Sequence, residues 1–303
     1  MNLYFKSWCL SFIILFLSNG SYLFGQIASD ANSSCLINGR IISKSDNSGI
    51  AYVTIASVLN KSIGAVTDEH GYFELKLKGK CIDSVFISRV GYTDTIICLT
   101  ATQKFYEIAL QEKIVQLDEI TVSSSKLVRL VVGEDLVKAI GSRKTFSARI
   151  VQSNQPGTAL GNFYEVRGLK GFIDSVFILI QKEFLPCKLS LNIFCFNGSL
   201  KDYKLTPLNG WRSLMKEPVF IEINEQLAII PLKEVSFSEC DYLIFSFVPL
   251  LITDIKDGYQ YGMVSYSSKN KSAKRFFMFG NRFAVLPPTD GLIAMYSILS
   301  VEK

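Results

Sequence analysis

Histidine is almost missing from this chain: His70 stands alone among 303 residues. One imidazole cannot assemble a His-rich zinc site, a di-histidine relay or several independent His-based sites. No C-x-x-C occurs, which removes a zinc ribbon and a thioredoxin-type redox pair. No G-x-S-x-G elbow and no phosphate-cradling glycine loop is found either. The expectation is therefore no metal, no cofactor and no catalytic constellation. Charge is also scarce, at 19% of residues against 49% hydrophobic, which excludes a disordered chain. The net charge of +5 is weak for the length. Basic residues such as Lys76, Lys78 and Lys80, or Lys269, Lys271, Lys274 and Arg275, lack the aromatic interleaving of a strand-binding platform. Nucleic acid is thus not an expected partner.

What is present begins with an address. Lys6 is the only charge near the start, Trp8 to Leu17 is an apolar core broken only by Ser11, and Ser18-Asn19-Gly20 ends it. This is the pattern of a secretory signal peptide over residues 1–25, with Gly25/Gln26 the favoured cleavage point. The core is shorter than the roughly 20 residues that span a bilayer, so an uncleaved anchor is disfavoured. No L-x-[AG]-C lipid-attachment box follows it. Later apolar runs are also short; Tyr242 to Ile252 is interrupted by Pro249.

Beyond the leader, Cys35, Cys81, Cys98, Cys187, Cys195 and Cys240 remain. An even count in an oxidising compartment permits disulfides. Cys81 and Cys98 flank an expected hairpin and are the pair whose bridging is easiest to picture. The competing reading is buried thiols acting as small apolar side chains.

From residue 35 to 112 the chain reads as six or seven short strands between turn signals. Phe73, Leu75 and Leu77 alternate against Glu74, Lys76 and Lys78, the mark of a half-buried strand. The ordered series Gly39-x-Ile41, Ile50-Ala51-Tyr52-Val53-Thr54-Ile55, Gly64-x-x-Thr67-Asp68-x-x-Gly71-Tyr72-Phe73 and Ile87-Ser88-x-x-Gly91-Tyr92 resembles the carboxypeptidase-regulatory-like domain. That resemblance implies a transthyretin-like β-sandwich of the kind carried by exported proteins of Gram-negative bacteria, including TonB-dependent receptors. It does not imply peptidase activity. A metallocarboxypeptidase needs His-x-x-Glu and a second His, and the third neighbour of His70 is Phe73. His70 reads as a solvated turn residue, Asp68 as the cap of that turn, and Tyr72, Phe73 and Tyr92 as core and sheet residues.

Residues 113–145 form a joint. Leu117 to Val122 resembles the strand that follows this domain in TonB-dependent receptors, and Ser123-Ser124-Ser125 reads as a flexible boundary. Leu127, Leu130, Val131, Leu136, Val137 and Ile140 then predict a short helix ending at Gly141. Residues 146–303 are strand-like almost throughout. The expected architecture is all-β: an N-terminal transthyretin-like sandwich, a short helical joint and a C-terminal jelly-roll-like sandwich. A membrane barrel is the disfavoured alternative for this half, because the strands are short and their opposite faces mix charge with aromatic residues. One strand stands out: Leu189, Leu191, Ile193 and Cys195 share a face, yet the opposite face carries Ser190, Asn192, Phe194 and Phe196 and is only partly polar.

The candidate ligand-binding residues are Trp211 and Arg212, expected in a loop, where an indole stacks on a sugar ring and a guanidinium bonds a polar ligand. The competing reading is a Trp filling the mouth of its own sandwich. Glu165, Asp174, Glu222, Glu225, Asp241 and Asp254 are numerous enough to supply a glycosidase pair, but nothing in the sequence marks two of them. The leading expectation is an exported, non-enzymatic binding or assembly protein of the cell envelope with a protein or glycan partner. A carbohydrate-active enzyme, or an accessory of a TonB-dependent system associated with the outer membrane through a partner, are the alternatives.

Overall fold

The computed structural model describes residues 34–60, 63–78, 82–100, 102–103, 105–114, 127–133, 149–151, 158–180, 185–200, 206–207, 210–233, 235–250, 263–266, 273–279, 282–286, 292–293 and 295–302. Residues 1–33, Cys81, Leu117 to Val122, Ser123-Ser124-Ser125 and Asp254 lie outside them. Among the described residues all regular structure is β.

The N-terminal module is a sandwich of two sheets. In one, β1 (Ser34–Ser43) lies between β4 (Tyr72–Lys78), antiparallel, and β7 (Phe105–Leu110), parallel. In the other, β3 (Gly64–Val66), β2 (Thr54–Ser57), β5 (Ile82–Ser88) and β6 (Thr95–Thr100) pair antiparallel in that order. Alternation sends Ile37, Ile41, Leu75, Leu77 and Leu110 inward against Ile55, Val85, Ile87 and Leu99. Each such fully buried Ile or Leu adds roughly 1.5–3 kcal/mol relative to exposure. The signature turn has a physical basis. Buried Thr67 donates its hydroxyl to the Ile50 carbonyl and accepts from the Val53 amide, both at 2.8 Å. Asp68 Oδ1 caps the amides of His70 and Tyr72 at 2.9 and 2.8 Å. Gly71 sits at φ +86°, where a Cβ would lie 2.4 Å from the Ile41 carbonyl oxygen, so only glycine closes this turn.

The C-terminal module opens on β8 (Leu127–Gly133), where the first half of the expected helix is overturned; Leu136, Val137 and Ile140 lie outside the described residues. The run Leu-Val-Arg-Leu-Val-Val suits either periodicity; β-branched content and an available partner strand decide for extended backbone. It pairs antiparallel with β23 (Met295–Glu302), so the chain has joined the second module's sheet by Leu127. That sheet runs β16 (Leu227–Pro231), β11 (Gly171–Leu179), β23, β8, with β17 (Ser236–Phe237) also on β11. A larger sheet runs β13 (Thr206–Pro207), β21 (Arg282–Val285), β20 (Ala273–Phe279), β10 (Ala159–Glu165), β18 (Tyr242–Pro249), β12 (Cys187–Phe196). Both β14 (Trp211–Ser213) and β15 (Val219–Ile223) pair with β12, at opposite ends of it. Three short strands, β9 (Arg149–Val151), β19 (Met263–Tyr266) and β22 (Leu292–Ile293), form a third sheet.

The larger sheet buries both of its faces. Leu191 pairs with Phe247 and Asn192 with Ser246, which fixes the alternation across β12 and β18. The inner face carries Leu189, Leu191, Ile193, Phe245 and Phe247 into a core shared with Ile173, Val176, Ile178 and Leu299 of the facing sheet. Tyr164 bridges the layers: its hydroxyl donates to the Met295 carbonyl at 3.0 Å and accepts from Asn162 Nδ2 at 2.9 Å. The outer face holds a second cluster of Phe163, Phe196, Ile244, Phe276, Phe283 and Val285. The described strands thus form open sheets packed around shared apolar cores.

The disulfides differ from the imagined hairpin bridge. Cys98 on the outer side of β6 is an exposed free thiol, while Cys195 is bonded to Cys240. Cys35 is also disulfide-bonded. Cys187 is the buried thiol of the competing reading, with burial pushing its pKa up to about 11.

Candidate functional site

The two modules meet over the outer face of the larger sheet, beside the polar stretch of β12. Tyr52 is held at φ 57°, an unfavourable conformation for an aromatic residue, and this presents its ring to Phe220 with centroids 4.7 Å apart. Its hydroxyl donates to Glu69 Oε1 at 2.8 Å, and Lys188 Nζ of the second module lies 3.3 Å from the same oxygen. Burial first and Glu69 second push the Tyr52 phenol up to about 12. Glu69 is correspondingly held below the usual range, by Tyr52 and then by Lys188. The Glu69–Lys188 pair is exposed and contributes little to docking. Phe220 carries more, because Arg89 also lies over its ring at 5.8 Å and over Tyr92 at 5.4 Å.

Next to this anchor the modules leave a cleft of about 290 Å³. One wall is the segment after β5, with Arg89, Tyr92 and Asp94, joined by Lys113 from beyond β7, whose amide bonds the Gly91 carbonyl at 2.8 Å. The other is the outer face of the larger sheet, with Ser190, Asn192, Phe194, Trp211, Val248 and Met278. The cleft is small for a ligand pocket, near the lower end of the usual range of about 300–1,000 Å³.

Three residues of these walls carry a buried polar atom that has no hydrogen-bond partner among the described residues: Arg89 Nε, Asn192 Oδ1 and Trp211 Nε1. Asn192 is only 8% exposed. An unpaired buried donor or acceptor costs on the order of 1–3 kcal/mol, and native proteins keep few of them. The three residues that carry them, a cation, an amide and an indole, line one cleft, with these particular atoms closed to solvent. Electrostatics adds to the pattern. Burial pulls the Arg89 guanidinium down, against the opposing fields of Tyr92 and Glu217. Asp94 keeps solvent contact at the rim, yet the surrounding protein desolvates it and raises its pKa, opposed by the Ser88 hydroxyl at 2.6 Å and by Lys113.

The structure separates the two residues singled out in the sequence. Both lie on the short strand β14, not in a loop, and strand alternation sends them to opposite faces. Trp211 faces the cleft, held edge-on by Phe163 and Phe276 at 5.7 and 5.6 Å. It is therefore both a packed aromatic and a cleft residue. Arg212 points the other way, donating Nη2 to the Ser238 carbonyl at 3.1 Å and resting on Cys195 Sγ at 3.5 Å. It braces the disulfide-linked end of β12 and does not reach the cleft.

The carboxylates raised as a catalytic pair are engaged elsewhere. Asp241 accepts from Arg167 Nε at 2.8 Å and from the Gly198 amide at 3.0 Å, and both contacts lower its pKa. Asp174 accepts from the Ser300 hydroxyl at 2.8 Å. Glu165, Glu222 and Glu225 are exposed. Among the described lining of the cleft Asp94 is the single carboxylate. His70 is an exposed turn residue whose carbonyl accepts from Arg40 Nε at 3.2 Å. Phe73 is buried as expected, but Tyr72 is 46% exposed, and half-buried Tyr92 lines the cleft.

Arg89, Asp94, Lys113 and Asn192 escaped the sequence reading. The signal that pointed to Asn192 was the mixed face of Ser190, Asn192, Phe194 and Phe196, too polar for a core and too aromatic for solvent. Among the described residues no group of His, Cys, Asp and Glu could hold a metal ion, and no helix is long and apolar enough to cross a membrane.

Residues 37–122 match the family model of the CarboxypepD_reg-like domain, which covers the first sandwich and one wall of the cleft. No curated protein matches the chain.

Proposed function

We propose that this chain is an exported, non-enzymatic binding protein of the bacterial cell envelope, and that it holds its ligand in the cleft between the two sandwiches. The observation that carries the reading is a cleft at the junction of the two modules, lined from one side by Arg89, Tyr92, Asp94 and Lys113 and from the other by Asn192, Phe194 and Trp211. Export is supported by the leader at residues 1–25. Binding is favoured over hydrolysis because the described lining supplies one carboxylate, Asp94, where a glycosidase pair needs two. An envelope glycan or a protein-borne group reaching into the cleft is the partner in this reading.

The test uses the chain from Gln26 onward on a glycan array and on immobilised envelope extract, beside Asn192→Leu and Trp211→Phe variants. Retention lost in both variants, with folding intact, supports the cleft as the binding site. Retention unchanged in both overturns it. Turnover of any array ligand, abolished by Asp94→Asn, defeats the non-enzymatic reading. Recovery of the full chain in the cytoplasm with its leader uncleaved defeats export.

A further inference from the structure

Among the described residues no strand ladder joins the two sandwiches: every strand of the first pairs within the first. The close contacts between them gather instead on one short segment of the second module, Lys216 to Phe220. We infer that this segment is a releasable clasp, and that the two sandwiches separate about it to open the cleft while each remains folded. The inference concerns motion of the free chain and goes beyond the binding reading.

The clasp is built from both sides. Phe220 meets the Tyr52 ring at 4.7 Å and the Arg89 guanidinium at 5.8 Å. Arg89 also lies over Tyr92 at 5.4 Å. Burial disfavours its charge, and the fields of Tyr92 and then of Glu217, inside the clasp segment, oppose that cost. Gly91 brings backbone against backbone: it sits at φ +91°, and a Cβ added there would lie 3.0 Å from the Lys216 carbonyl oxygen. The remaining contact is the Glu69–Lys188 pair, whose lysine is on β12, the strand paired with β15. Both of its side chains are exposed, so it holds weakly.

Three properties make the clasp releasable. Phe220 stays 40% exposed after meeting Tyr52 and Arg89, so the docking aromatic is not sealed into a core. Arg89, the cation that meets it, has its Nε buried with no partner among the described residues, and a docked arrangement that leaves a donor unsatisfied is less stable for it. The sheet face across the cleft is also polar for a buried surface. Ser190, Asn192 and Ser246 are all buried on it, whereas the opposite face of β12 carries Leu189, Leu191 and Ile193 into the core. Hydroxyls and an amide lose far less on meeting water than that apolar face would. A contact between modules that is local and partly polar is one about which the modules move.

Site-resolved alkylation of the chain from Gln26 onward tests the inference, with Ser190→Cys in a Cys98→Ser background as the reporter. Ser190 is buried and lines the cleft, while the native thiol of Cys187, buried in the core of the second module, reports unfolding of that module. Expected is labelling at position 190 about tenfold or more faster than at Cys187, because separation costs less than unfolding. Adding Phe220→Ala should raise the rate at position 190 severalfold and leave Cys187 unchanged. Carbodiimide coupling of Glu69 to Lys188, which their 3.3 Å approach allows, should slow position 190, with Lys188→Arg as the uncoupled control. Equal rates at the two thiols overturn the inference, since the face is then reached only by unfolding. A Phe220→Ala variant that speeds both thiols together overturns it as well. So does fast labelling that persists after coupling, since the thiol is then reached with the clasp closed. Ligand retention in the Asn192→Leu variant is measured separately and decides the binding reading alone.

Discussion

Replacing Asn192 by leucine should make the free protein more stable while disabling it. Asn192 stands at the middle of β12, opposite Ser246, only 8% exposed and with its Oδ1 unpartnered. If the amide serves a ligand, the free protein bears the desolvation penalty of that oxygen, on the order of 1–3 kcal/mol. Leucine has a similar volume, suits the apolar surface made by Phe194 and Val248, and carries no polar atom. The expected gain is therefore about 1–2 kcal/mol. For a unit of 150–250 residues that corresponds to roughly 2–4 °C per kcal/mol in melting temperature. Urea unfolding of the chain from Gln26 onward measures it, with an unchanged m-value showing that the same surface is exposed. The readout is convenient because the chain from Gln26 onward keeps one of the two tryptophans, Trp211, in the cleft. The same variant should bind the array ligand at least about tenfold more weakly. Destabilisation by about 1 kcal/mol or more would refute the reasoning, since it would mean that the amide is a satisfied structural group.

Other consequences follow from the same geometry. Replacing Cys195 and Cys240 together by alanine opens a loop of 45 residues and should cost about 4 kcal/mol on loop-entropy grounds; urea unfolding of the double variant against the parent checks this. Asp94 has a pKa raised above 3.8 by burial, so the folded state holds its proton where the unfolded chain releases it. Its contribution is thus favourable below 3.8 and is lost as pH rises through the higher folded value, and Asp94→Asn should flatten that part of the stability profile. An NMR titration placing Asp94 at or below 3.8 would contradict this. Site-resolved alkylation of the native chain should label exposed Cys98 within minutes and leave buried Cys187 unmodified until denaturant is added; equal labelling of both would contradict the placement.

The first sandwich was legible because its turns are chemically over-determined. Thr67, Asp68 and Gly71 each satisfy a backbone demand that few other residues meet, so their order in the sequence carries the fold. In the second module the strand carrying Leu189, Leu191, Ile193 and Cys195 was readable from its shared face. Leu127–Gly133 was not, since a short apolar run fits a helix as well as a strand until its distant partner, Met295–Glu302, is known. The candidate site was legible only at Trp211, for a related reason. Trp211 declared itself by type, but Arg89, Asp94 and Lys113 are ordinary polar residues near a glycine turn. What makes them distinctive is the second module standing against them, and no local pattern encodes that contact. Arg212 misled because adjacency in sequence places two strand residues back to back.

The division of the cleft between two sandwiches has a thermodynamic corollary. Arg89 belongs to one wall and Asn192 and Trp211 to the other, so a molecule that touches all three acts as a strut between separately folded bodies. By reciprocity, whatever free energy the strut adds to the docking of the sandwiches, docking adds to the strut. A force that pries Tyr52 from Phe220 would then lower affinity without touching any contact with the bound molecule, and occupancy would in turn stiffen the chain against that force.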